Sequence, residues 1–249
     1  MNKHLITPSD ELQAFLDAKI PNIPNRVRKH TQVSAPTATT TDIPKDYISF
    51  PTLGLAFSPE IILQDKNWYH THKALLEKDL IMPTIRQTWD AIHYAIQNLD
   101  DPRMQHFYDS ILKTTESGWH SEWQNDYFEK DDNGKMYVKH LTGFDNNGEP
   151  VFSSSKEISD YLQKDNFASI HNLTEDGLCK QLSGDEYKQG ENIKFWYPEN
   201  DGRVARFLAY SNDANLDCFR DPAVINGGLG VRAVKPLNSK HAQQNGGRT

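Results

Sequence analysis

The spacing of hydrophobic residues changes partway along this chain. In the first half it is helical. Ile85, Trp89, Ile92, Ile96 and Leu99 fall three or four positions apart behind Thr84, which predicts a capped helix over Thr84–Leu99. Asp100-Asp101-Pro102 opens a further helix, with Met104, Phe107, Tyr108, Ile111 and Leu112 turned inward. Asn67–Asp79 also reads as helical, and residues 8–19 as a short helix capped by Ser9 with Leu12, Phe15 and Leu16 on its apolar stripe. Between these, YISFPTLGLAF from Tyr47 is a strand-like run broken at Pro51 and Gly54.

From Gly118 onward the pattern becomes short runs separated by turn residues. Asn133-Gly134 and Asn147-Gly148 mark two hairpins, because both residues accept the positive φ of a tight turn. Ser154-Ser155-Lys156-Glu157 has the form of a capping box and predicts a short helix to Gln163; Thr174 is placed to start another. Helices early and strands late, with no strand–helix–strand alternation, define an α+β fold and exclude Rossmann and TIM-barrel architectures. The organisation that follows is an N-terminal short helix with a Pro/Thr-rich arm over 1–46 and a main domain over 47–237. That domain carries a helical segment at 60–115, and a tail follows over 238–249.

The run Ile193–Pro236 carries the most information. Leu208, Tyr210 and Asn212 alternate with Ala209 and Ser211. Beyond a turn, Asn215, Asp217 and Phe219 alternate with Leu216 and Cys218. A period of two sends the sets to opposite faces of a sheet. The small and apolar set suits a core; the mixed polar and aromatic set has the character of a recognition surface.

Composition narrows the classes. A chain of 249 residues that is 37% hydrophobic, with five Trp, can bury a globular core. Its 27 basic and 34 acidic residues give a net charge of −7, which argues against a nucleic-acid or anionic-membrane binder. No apolar run reaches the ~18 residues of a membrane span, and the first residues lack the apolar core of a signal peptide. Cys179 and Cys218 are therefore expected as reduced thiols, Cys218 packed and Cys179 more exposed, in a cytoplasmic or virion-associated protein.

Motifs of catalysis are sparse. His70 and His72 stand two apart, which on a helix turns them away from one another, so no metal centre is expected. His93 and His106 fall in the helical region as polar edge or core residues. His120, Glu122 and Asp126, between Trp119 and Trp123, contain the groups of a general acid–base site but no placed nucleophile. Gly227, Gly228 and Gly230 precede no helix, so they turn the chain and allow close backbone approach rather than cradle a phosphate.

Val204-Ala205-Arg206-Phe207, Ala214-Asn215-Leu216, Arg220-Asp221-Pro222 and the closing Leu229-Gly230-Val231-Arg232-Ala233-Val234 together resemble the C-type-lectin-like fold of the formylglycine-generating-enzyme type. They are most similar to the variable proteins of diversity-generating retroelements, found in bacteria, archaea and their viruses. The resemblance covers the last 45 or so residues well and residues 119–200 loosely. It implies a ligand-binding display protein, not an enzyme, with diversified positions at Leu208, Tyr210, Asn212, Asn215, Asp217 and Phe219, extended to Arg203 and Asp213. The paired cysteines of the formylglycine-generating enzymes are missing, since only Cys218 lies in this region, and the oxidase activity is not carried over. Pro198-Glu199-Asn200 does not reproduce a lectin calcium motif, so neither calcium nor any cofactor is expected.

The expected function is capture of a protein ligand, with Tyr210 and Phe219 as anchors and Asn212, Asn215 and Asp217 as adaptable hydrogen-bonding groups. The alternatives are an enzyme built around His120, Glu122 and Asp126, or a virion structural protein whose 1–46 arm joins neighbouring subunits into an oligomer.

Overall fold

The computed structural model describes residues 44–114 and 120–237. The chain divides between Lys45 and Asp46, and every element below belongs to the second unit. The expected helix at 8–19, nearly all of the arm, Trp119 and the tail lie outside the described residues.

Strands β1 (Ile48–Phe50) and β2 (Leu55–Phe57) run antiparallel around a 3-10 turn at Pro51–Leu53. The turn ends on Gly54 at φ 62°, so the expected breaks at Pro51 and Gly54 are one tight reversal. Three helices follow. Asn67 caps α1 (Trp68–Leu76), Thr84 and Gln87 form a reciprocal capping box on α2 (Ile85–Ile96), and Asp101 caps α3 (Pro102–Leu112). All five residues expected on the inner face of α3 are buried. Leu99 is not part of α2, which stops at Ile96; it stands past the helix end and is exposed.

The main sheet runs β7 (Lys156–Glu157), β4 (Met136–Lys139), β3 (His120–Lys130), β10 (Arg203–Ala209), β11 (Ala214–Arg220), β9 (Asn192–Trp196), β8 (Asn166–Ser169). Neighbours along it are antiparallel except β11 with β9. Both Asn-Gly hairpins form: β3–β4 turns at Gly134 with φ 82°, and β5 (Leu141–Phe144) to β6 (Pro150–Phe152) turns at Gly148 with φ 84°. β12 (Leu229–Gly230) lies parallel on β3, and β13 (Val234–Pro236) adds to β2. The architecture is mixed α+β, mostly sheet.

Two expected helices are absent. Lys156–Glu157 instead pairs with β4, and of the residues that follow only Ile158 is buried, too few for a stripe to hold a helix. Thr174 closes a turn, its hydroxyl accepting from Leu178 N–H around Gly177 at φ 86°.

One face of the main sheet packs on the helices. The Phe207 ring meets Trp89 of α2 edge to face at 5.0 Å, and Gln124 accepts from the Thr88 hydroxyl at 2.6 Å. Phe50, Phe57, Phe107 and Tyr94 join the small sheet to α2 and α3 with ring centroids 4.9–5.5 Å apart. Such pairs contribute roughly 0.5–1.5 kcal/mol each beyond their buried area. The opposite face of β3 is covered by α1 through a cluster containing Trp68, Leu75 and Trp123. Further along the sheet, over β9 and β11, that opposite face is partly open.

Candidate ligand-binding face

Strand register defines this face. Asn215 and Asp217 of β11 stand beside Lys194 and Trp196 of β9, and across from Leu208 and Arg206 of β10. On β8, Phe167 stands beside Lys194. Lys194 Nζ lies over the rings of Phe167 at 5.2 Å and Trp196 at 5.3 Å. Trp196 meets Phe219 edge to face at 5.9 Å. Its Nε1 donates to Asn215 Oδ1 at 2.8 Å, and Asn215 Nδ2 donates to Asp213 Oδ1 at 2.7 Å. The aromatics are thereby held in place by polar side chains of the neighbouring strand.

The expected alternation of buried and exposed residues is only half right. The two sets do occupy opposite faces, but within the strands all of both except Phe219 is covered. Leu208, Asn215 and Asp217 are buried, against expectation. Leu208 sits mid-strand between β3 and β11, Asn215 lies under its bond to Trp196, and Asp217 is closed off by Arg206, whose Nε donates to it at 2.8 Å. Tyr210 and Phe219 are each 40% exposed, and Asn212 is exposed in the turn, where β10 has already ended. Arg203 and Asp213 are half-exposed, and Arg203 pairs with Asp221 at 3.6 Å.

Strand parity mislocates Arg220. Counted from Cys218 it belongs on the helix-packed face. Between Val204 and Arg206, however, β10 advances two residues while β11 advances three, from Asp217 to Arg220. This bulge turns Arg220 to the side of Asp217. Its guanidinium lies near Arg206, Asp217, Tyr210 and Asp221; burial, then repulsion from Arg206, holds its pKa below the usual value.

Lys194, Trp196, Arg206 and Arg220 are the residues of this face that sequence reasoning missed. For β9 the signal was present: Ile193 and Phe195 are buried while Lys194 and Trp196 alternate with them. For Arg220 nothing in the chain announces the bulge.

The acid–base candidates do not form an open cluster. Glu122 is buried against Arg232. Asp126 accepts from Ile85 N–H at 2.7 Å and faces His140 Nε2 at 3.3 Å; burial pushes its carboxyl up, opposed by those two partners. His70 is exposed and His72 buried on one helix, and no group of three metal-binding side chains occurs among the described residues. His93 bonds the Ile170 carbonyl and His106 pairs with Glu60. Cys218 is buried as expected, but Cys179 is buried too, not exposed; it follows the turn that Thr174 closes, its backbone bridged to Leu173. Both thiols are unpaired. No helix among the described residues is long and apolar enough to cross a membrane.

Comparison with protein-family models, with curated proteins and with solved structures finds no match to this chain.

Proposed function

We propose that this protein is a non-catalytic binding protein. Its scaffold is of the C-type-lectin-like kind, and it presents the β9–β11 face and the β10–β11 turn to a protein partner, as the variable proteins of diversity-generating retroelements do. The observation that carries this reading is the face itself. Trp196 on β9, Phe219 on β11 and Tyr210 just past the end of β10 remain partly exposed on a sheet whose other side is packed against helices. Rigid aromatic groups on a fixed backbone lose little freedom on binding, which is what a capture surface requires. The contact set differs from the expected one. Tyr210, Asn212, Phe219, Trp196, Lys194 and Arg220 reach solvent, while Leu208, Asn215 and Asp217 support them from below.

Two measurements test the reading. The first is the DNA around the coding sequence. A reverse-transcriptase gene beside a near-copy of the segment encoding residues 203–221, differing mainly at template adenines, is expected; its absence removes the retroelement from the proposal. The second uses binders selected against the full chain from a displayed library of peptides. The Tyr210→Ala/Phe219→Ala double variant is expected to lose them while its Tm stays within about 4 °C of wild type. Binders unaffected by that variant would place recognition elsewhere.

A further inference from the structure

The bulge in β11 leaves a positive charge on the face without its own counter-charge. Arg206 is matched by Asp217 at 2.8 Å and Arg203 by Asp221 at 3.6 Å. Arg220 has no ion pair among the described residues, and its Nε is sealed from solvent without a hydrogen-bond acceptor. A desolvated donor left unbonded is costly, and native proteins keep few of them. The guanidinium is also crowded by the like charge of Arg206, so a negative group received at its terminal nitrogens, which are not sealed as Nε is, would offset that repulsion.

We propose that Arg220 anchors a carboxylate of the protein partner, an Asp or Glu side chain received between Tyr210 and the Trp196–Phe219 pair. This rests on the binding reading above. The charge balance selects the chemistry: one surplus guanidinium suits a monoanion, and the planar fork of Arg matches a carboxylate at two points. The neighbouring rings supply apolar contact for the stem of the acidic residue and its neighbours.

The experiment uses the full chain and a displayed library of random linear peptides. Selected binders are expected to be enriched in Asp and Glu. Changing the enriched acid to its amide is expected to weaken binding to the wild-type chain at least about tenfold. The same peptide change should have little further effect on Arg220→Gln, and Arg220→Lys should recover only part of the affinity. The peptide-side change is read on the unaltered protein, so it decides the matter even where an Arg220 variant folds poorly. Binders that touch Tyr210 and Phe219 but show no acidic enrichment would overturn the role of Arg220 and leave the display reading standing. Binders that ignore Tyr210 and Phe219 altogether would overturn the display reading itself. Displacement of the peptides by inorganic phosphate, with acetate inert at equal concentration, would mark a phosphate-type site and overturn the carboxylate assignment.

Discussion

Arg232 and Glu122 stand 110 residues apart in sequence and 2.7 Å apart in space, with 2% and 1% of their side chains exposed. Arg232 also donates to the carbonyls of Ser58 and Pro59 and lies over the Phe107 ring. One guanidinium thus joins the closing run of the chain to β3, to the loop after β2 and to α3.

Removing one partner of this pair strands the other charge in the core. Glu122→Ala is expected to cost about 3–5 kcal/mol, measured by equilibrium denaturation. The double change Glu122→Leu/Arg232→Met should recover most of that loss, because it leaves no unpaired charge. A single-variant cost below about 1 kcal/mol would contradict the central placement of the pair.

His72 gives a second prediction. It is buried against Trp68 with ring centroids 4.3 Å apart, and its Nε2 has no hydrogen-bond partner among the described residues. Burial, reinforced by repulsion from His140, lowers its pKa to about 3. Above pH ~6.5 the imidazole is neutral in both folded and unfolded chains and imposes no penalty. Below it the unfolded chain takes up a proton that the folded one refuses, so stability falls as pH drops, by up to about 1.4 kcal/mol per unit. His72→Leu should therefore flatten denaturation curves compared between about pH 6.5 and 4.5. Asp126, whose raised pKa works in the opposite sense, is common to both proteins. Equal slopes for the two would show that His72 is protonated in the fold.

The thiols should be inert. Burial pushes Cys179 up to about 12, and burial with the nearby Asp217 carboxylate raises Cys218 well above its ordinary value. A thiol reagent at about pH 8 is expected to modify neither in the native protein and both on unfolding. A fast-reacting native thiol would reopen nucleophilic chemistry for this chain.

Much of the fold was legible because local chemistry and tertiary structure agree. Thr84, Asp101 and the two Asn-Gly turns act where their side chains and φ preferences dictate. Gly230 also reads correctly as a close approach: a Cβ there would meet Ile61 Cγ2 at 2.5 Å and the Ile62 carbonyl at 2.6 Å. Some failures are local, as where Thr174 closes a turn around Gly177 rather than starting a helix, but the consequential ones come from non-local pairing. Lys156–Glu157 looks like a helix start but is recruited by β4, and Asp217 looks exposed by parity but is met by Arg206 from the adjacent strand. Arg220 is the plainest case. Its face is set by a bulge that exists only once β10 and β11 are aligned.

β10 lies between β3 and β11, and β11 between β10 and β9. Each therefore has ladder partners on both flanks. An inserted or deleted residue in either strand, unless a further bulge absorbed it, would throw every later side chain to the wrong side of both neighbours at once, whereas an exchange of one side chain for another leaves the ladder untouched. These two strands are thus built to tolerate a change of spelling far more readily than a change in the number of letters.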